Sequence, residues 1–187
     1  MVESMKPMPI TSSTRPGPGR GTDIALLARL ANRIGAQVQG TKTLNLFGAV
    51  GRARRNFLPW LLYSGSLMPF GILPRRQSEL VILRVATLRD SRYELEHHTT
   101  MGKRFGLSDA DIEAVKRPEH GFTGRTGVIL DATNDLIEHR QITDEVWERL
   151  RDHLSDKEIT ALLLLVTNYD GLATVMDVLQ VPLDEKR

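Results

Sequence analysis

Residues 75–106, RRQSELVILRVATLRDSRYELEHHTTMGKRFG, decide how the chain is read. They form two successive helical patterns with a break near Asp90. In the first, Glu79, Ile82, Leu83 and Ala86 recur at the spacing of one helix face, so a carboxyl group lies in line with the apolar stripe. In the second, Glu94, His98, Met101 and Phe105 share a face, which puts an acid one turn before an imidazole. Two acids and a histidine aimed at a core either satisfy one another structurally or do proton chemistry.

Upstream, Pro69, Gly71 and Pro74 mark a turn leading into this pair. A helix is expected from Arg52 to Tyr63, with Phe57, Trp60 and Leu61 on one side, after a short helical piece from Leu44. Asp23 is expected to cap a helix that buries Ile24, Leu27, Leu30, Ala31 and Ile34 and ends near Gly35. Residues 1–22 hold Pro7, Pro9, Pro16, Pro18, Gly17, Gly19 and Gly21, a composition that predicts a flexible tail. A single helical domain is then expected over 23–187.

Downstream, Gly106 fits the position just past a helix end, and Ser108 fits the N-cap of DADIEAV, which Pro118 stops. Residues 121–127 read as a loop with three glycines that lacks the strand, turn and lysine of a phosphate cradle. Further helices are expected over 128–139 and from Thr143 through Leu150. Ser155-Asp156-Lys157-Glu158 reads as a capping box for a long apolar helix running to about Leu179. No stretch alternates as a strand does, so the fold class is all-α. Leu162 to Leu165 surround a whole turn with leucine, which predicts burial on every side and therefore a subunit interface.

Composition narrows the function classes. With no cysteine, the chain has no disulfide, no thiolate nucleophile and no cysteine-bound metal. The longest aliphatic run, LLLLV at 162–166, is too short to cross a bilayer. No signal-like apolar segment follows the N-terminus, so a cytoplasmic protein with no membrane contact is expected. Residues 1–78 hold 11 Lys/Arg against 2 Asp/Glu, and the remainder hold 14 against 21. The basic residues, including Arg52, Arg54 and Arg55, are scattered with few aromatics between them. The two halves are therefore expected to face each other within the fold or across subunits rather than to bind nucleic acid. A weaker option is that some of these arginines attract a small carboxylated substrate.

LPRRQSELVILRVATLRDSRYELEHHTTMGKRFGLSDADIEAV resembles the core of the carboxymuconolactone decarboxylase family, which includes the alkylhydroperoxidase D-like proteins. LLLLVTNYDGLATVMDVLQVPLD resembles that family's closing helix and tail, and NLFGAVGRARRNFLPWLLYSG its lead-in helices. The resemblance implies a multi-helix domain assembled by helix packing into a trimer or hexamer. In the peroxidase branch a Cys-x-x-Cys pair is followed by a histidine and preceded by a glutamate. The matching positions here are Ser91, Glu94, His98 and Glu79. A serine and a carboxylate form no disulfide and reduce no peroxide, so thiol peroxidase activity is excluded. Glu94-Leu95-Glu96-His97-His98 instead fits the Glu-aliphatic-x-x-His form of the decarboxylase branch.

That branch implies cofactor-free acid–base chemistry on a small carboxylated or lactone-like substrate, which acts as its own electron sink. His98 suits proton delivery, because an unperturbed imidazole titrates at about 6.5. Glu79, if buried, is expected to have a raised pKa and to reprotonate or orient that imidazole. Glu94, near a helix N-terminus, is expected to stay charged. Ser91, Tyr93, His97 and Tyr169 are secondary candidates for substrate contact.

Other readings of the same residues remain. Ser91 and Glu94 also form S-x-x-E, a capping box in which Glu94 only satisfies backbone donors. His98 can equally be a core histidine held by Glu79. His97 and His98 point about 100° apart on a helix, which argues against a shared metal, so neither metal nor cofactor is expected. The alternative function is a family member that serves as an oligomeric binding or scaffold protein without catalysis. A peroxidase using no thiol is a third possibility.

Overall fold

The computed structural model describes residues 15–187, and among these it has nine α-helices and no named strand. They are α1 (Leu26–Gln39), α2 (Asn45–Gly51), α3 (Phe57–Leu67), α4 (Arg75–Leu88), α5 (Arg92–Arg104), α6 (Asp109–Lys116), α7 (Gly124–His139), α8 (Asp144–His153) and α9 (Asp156–Val178). The all-α class therefore stands. The expected tail over 1–22 lies largely outside the described residues. From Arg15 onward the chain runs against α2, where Gly19 N–H donates to Gly48 O at 3.0 Å and Arg52 Nε to Gly17 O at 2.8 Å.

The helix α4 is the hub. It contacts α5, α6, α7 and α9, and every residue from Ser78 to Ala86 is buried. Val81, Ile82 and Val85 face a core shared with Ile129, Leu150, Leu162 and Leu165 from α7, α8 and α9. On its other side Leu80 and Leu83 pack with Leu107, Ile112, Val115 and Leu130. Asp90, at φ 51°, turns the chain sharply from α4 into α5. Gly106, at φ 86°, ends α5 in the left-handed region that favours glycine, and Leu107 N–H then donates back to Gly102 O at 2.9 Å.

Several boundaries differ from those expected. Asp23 closes a short 3-10 turn, and α1 starts later, after Ala25. Ile24 is buried and Ala31 packs nearby, but Leu27, Leu30 and Ile34 are exposed, while Ala28 and Ala36 face inward. Small residues win that face because α1 lies tight against α2: a Cβ on Gly51 would come within 2.9 Å of the Ala28 methyl. The helix expected from Arg52 begins only at Phe57, because a 3-10 turn with Arg54 at φ 45° intervenes, and it continues to Leu67. The glycines at 124 and 127 belong to the first turn of α7 rather than to a loop, and a Cβ on Gly127 would sit 2.4 Å from Phe122 O.

Helix α9 opens with the expected capping box, Ser155 Oγ accepting from Glu158 N–H and Glu158 Oε2 accepting from Ser155 N–H. Length and composition alone would let α9 span a bilayer, yet its Ile159, Leu162, Leu165 and Val166 sit in the main core. Its burial is not all round, since Leu164, Val175 and Val178 are exposed. Lys42–Glu185 (2.8 Å) and Arg76–Asp111 (2.9 Å) do join the basic front half to the acidic back half. Water screens such pairs, so they add little to stability.

Candidate active site

The turn at Asp90 folds α5 against α4 and brings their inward acids and imidazole into contact. Glu79 is wholly buried, at 0% exposure, and both its oxygens are used. Oε1 accepts from Arg75 Nε at 2.9 Å, one turn earlier on α4, and Oε2 accepts from His98 Nδ1 at 2.7 Å. The other ring nitrogen, Nε2, stands 3.3 Å from Glu94 Oε2, one turn earlier on α5. An imidazole facing acceptors on both nitrogens needs a proton on each. Burial alone would push His98 down, but the hydrogen bonds and charges of Glu79 and Glu94 outweigh it and lift its pKa to about 9. His98 is therefore an imidazolium at neutral pH, a proton donor at rest. An unperturbed histidine value understates this, because it ignores how strongly two adjacent carboxylates act on the buried ring.

Glu94 does not cap α5. The Ser91 side chain makes no capping hydrogen bond, and the Glu94 carboxyl turns to His98 instead. Its second oxygen, Oε1, is buried without a hydrogen-bond partner among the described residues. An unpaired buried acceptor costs roughly 1–3 kcal/mol, so it calls for an explanation.

The residue borders a cavity, although this atom itself presents almost no surface. Glu94, His97, His98, Arg75, Tyr93 and Tyr169 all line one cavity of about 830 Å³ between α3, α5 and α9. Polar groups from α4 and α5 are joined in its lining by Gln39, Ser64, Ser66 and Asn168, and apolar residues such as Phe47, Trp60, Leu62 and Phe70 supply much of the rest. Met101 and Phe105, on the same α5 face as Glu94 and His98, also line it. The Arg75 guanidinium lies 4.2 Å over the Phe105 ring, which holds it at the cavity edge.

The remaining candidates divide. The Tyr169 ring meets the His98 ring edge to face, at 5.2 Å between centroids. Burial, then the nearby Glu94 and Glu79, raise its hydroxyl well above 10, which keeps it a neutral donor. Tyr93 lines the cavity, but its hydroxyl is engaged, donating to Asp184 Oδ2 at 2.8 Å and accepting from Leu46 N–H at 3.2 Å. His97, partly buried, stacks on Tyr93 and bonds Asp184 Oδ2 through Nε2 at 2.9 Å. Ser91 is elsewhere, lining a separate hollow of about 330 Å³ with Gln180 and Pro182. Among the described residues, no group of three or more His, Asp or Glu is arranged to hold a metal ion.

Three residues escaped the sequence reading. Arg75 had a usable signal, since Arg75 and Glu79 are an i, i+4 pair. Asp184 had none: only the fold brings this tail residue to Tyr93, His97 and the Asn45 N–H, at 2.7 Å. Asn168 also had none. Its Oδ1 accepts from Ser64 Oγ at 3.3 Å, its Nδ2 is buried without a partner among the described residues, and the residue lines the same cavity.

Comparison with known proteins agrees with this architecture. Residues 60–120, which include Arg75, Glu79, Glu94 and His98, match the model of the carboxymuconolactone decarboxylase family. No curated protein matches the sequence. An alkylhydroperoxidase AhpD core protein from Ralstonia eutropha JMP134, described as peroxidase-related, shares the fold at a TM-score of 0.76 and 13% identity, over 90% of this chain and 91% of that one. A peroxidase-related protein from Silicibacter sp. TM1040 does so at 0.74 and 15% identity, over 85% of each. A cysteine-to-alanine variant of the debrominase Bmp8, in complex with 2,3,4-tribromopyrrole, does so at 0.73 and 12% identity, over 93% of this chain and 92% of that one. The matched segment holds the Glu79–His98–Glu94 cluster, so this stretch is similar to the carboxymuconolactone decarboxylase family, in a fold shared with the AhpD-like proteins over most of the chain and with no cysteine.

Proposed function

We propose that the protein is a cofactor-free acid–base enzyme of the decarboxylase type, acting on a carboxylated or lactone-like small molecule. The observation that carries this reading is His98, held between Glu79 and Glu94 in the lining of a substrate-sized cavity. Arg75 also lines that cavity, and its Nη groups, which make no hydrogen bond among the described residues, can pair with a substrate carboxylate. Loss of carbon dioxide leaves an electron pair on the substrate, which needs a proton at carbon. His98 Nε2 first passes its proton to the Glu94 carboxylate, and Glu94, which lines the cavity, then hands that proton to carbon, leaving His98 to regain one from solvent. Glu79 and Arg75 fix the imidazole so that its second proton points at Glu94. The absence of cysteine leaves this branch of chemistry, and no thiol redox cycle, open to the site.

The test is carbon dioxide release from a panel of small lactones and 3-oxo acids, with His98→Ala, Glu79→Gln and Glu94→Gln beside the wild type. Each variant is expected to lose about 10²- to 10⁴-fold in turnover while keeping helical content and assembly. A wild type with no turnover, combined with variants that lose assembly, would move the reading to a non-catalytic scaffold. The same proposal includes a homo-oligomer, trimer or hexamer. Its support is the exposed apolar row Leu27, Leu30, Ile34 and Val38 on α1, together with Leu58 and Leu62 on α3.

A further inference from the structure

The cavity beside His98 is open on one side. Val38, Leu62, Phe70 and Phe105 line it and are themselves exposed, Phe70 at 83% and Leu62 at 65%. This rim is tied together, since Arg104 Nη1 at the end of α5 donates to Val38 O near the end of α1 at 2.7 Å. Two apolar rows lead to it. Leu30, Ile34 and Val38 follow one another at single turns of α1, and Leu58 and Leu62 do so on α3, all of them exposed. Apolar surface gathered in this way around a cavity mouth marks an interaction face.

The charges on that face narrow what covers it. From Ile24 to Ser78 the chain holds eight Lys/Arg and no Asp or Glu. Among the described residues Lys42, Arg52, Arg75 and Arg76 pair with acids, whereas the exposed Arg29, Arg33 and Arg55 do not. Arg29 and Arg33 are the sequence neighbours of Leu30 and Ile34. A twofold contact through this face sets it against its own copy, arginine facing arginine, which is repulsive. Helix α8 carries the opposite charge. Its Asp144, Glu145, Glu148 and Asp152 are exposed and form no salt bridge among the described residues, and the exposed Trp147 stands among them.

We propose that a second copy of this chain seats its α8 on the α1–α3 face, head to tail, and roofs the cavity, so that the site is complete only in the assembly. This rests on the homo-oligomer proposed above and adds which faces meet and what their contact does. A head-to-tail contact that closes makes a ring, the geometry of a trimer. The roof keeps bulk water from Glu94 and His98, whose charges then act more strongly on whatever occupies the cavity.

The chain has no cysteine, so one introduced thiol reports on one position. Met101 lines the cavity one turn from both His98 and Phe105. The reaction of Met101→Cys with dithiobis(nitrobenzoate), a bulky aromatic disulfide, is followed beside sedimentation velocity of the same samples. Ile34→Glu, a change at an exposed position outside the cavity lining, is expected to weaken association at least about tenfold. Added to Met101→Cys, it is expected to speed the thiol reaction severalfold at equal protein concentration. Glu145→Lys and Glu148→Lys together are expected to do the same without touching α1. Raising NaCl from about 0.05 M to about 0.5 M is expected to loosen the assembly, because it screens opposite charges across the contact.

A wild type that stays monomeric into the high micromolar range overturns the oligomer and the roof together, and leaves carbon dioxide release to judge the acid–base reading. A wild type that assembles, with the Met101→Cys thiol reacting as fast as it does in the Ile34→Glu background, overturns the roof and leaves the oligomer standing. Assembly that tightens with salt overturns the head-to-tail arrangement in favour of a twofold one. Assembly that the double reversal on α8 does not weaken overturns the choice of α8.

Discussion

Helices α1 and α4 are the same length, 14 residues, and their sequences and environments run in opposite directions. Helix α1 is cleanly two-sided, with Leu27, Leu30, Ile34 and Val38 in one row, yet it buries only Ala28 and Ala36. Helix α4 mixes Glu79 and Arg84 into its aliphatic residues and buries an unbroken run from Ser78 to Ala86. A periodic stripe states that a face wants cover and does not say whose. For α4 the cover is four helices of the same chain. For α1 the pattern alone points the leucines at the core, but alanine and glycine set the closest approach to α2 and leave the leucines outside.

The widest gap between the two helices is expected in stability. Leu83 is 0% exposed and Leu30 is 53% exposed, so the same truncation should have opposite weight. Leu83→Ala opens a cavity among Leu80, Ile112, Val115 and Leu130 and is expected to cost about 2–5 kcal/mol, roughly 5–15 °C in Tm. Leu30→Ala should stay within about 0.5 kcal/mol when melted at a protein concentration low enough to keep the chain monomeric. In the proposed oligomer, Leu30→Ala should also remove most of the rise in wild-type Tm with concentration. Equal losses for both variants in dilute melts would show that α1 is covered from within its own chain.

The second contrast is charge. Only α4 carries a buried acid, and Glu79 links stability to the protonation of His98. The folded-state pKa of His98, about 9, lies above the unfolded value of about 6.5. Its stabilisation is therefore fully present below about pH 6.5 and is lost as pH rises through about 9, with a ceiling of about 3 kcal/mol. Urea melts from pH 6 to 10 should show that decline in wild type and in Leu30→Ala, and a flatter profile in His98→Gln. A wild-type profile as flat as that of His98→Gln would mean that the imidazole does not gain its proton from this pair of acids.

How much of this was legible depended on whether the informative partners were near in sequence. Glu79, Glu94 and His98 could be placed on inward faces because each face repeats locally over α4 and α5. That the faces meet follows from the break at Asp90, also local. Asn168 and Asp184 reach the site through the packing of α9 and of the chain after it, and no short-range pattern distinguishes them from ordinary polar residues. The protonation of His98 is hidden for a related reason: two acids at different sequence distances act on one ring.

The smallest expected effect tests the most similar pair of motifs in the chain. Ser91-Arg92-Tyr93-Glu94 and Ser155-Asp156-Lys157-Glu158 share the pattern S-x-x-E, and both serines stand at helix N-caps. At α9 the motif is a reciprocal cap: Ser155 Oγ accepts from Glu158 N–H, and Glu158 Oε2 accepts from Ser155 N–H at 2.9 Å. At α5 the glutamate is withdrawn from the cap and given to His98, and the serine makes no capping bond. Ser155→Ala should therefore cost about 1 kcal/mol, and Ser91→Ala less than half of that, with neither changing turnover. The difference arises from what lies beside each helix start. At α9 the glutamate has solvent and Arg125 as neighbours, so bonding the backbone is its best use. At α5 it has an imidazolium one turn ahead inside a cavity, and a charged donor there outweighs a backbone one. Measured losses of equal size would place Glu94 back on the cap and take it away from His98.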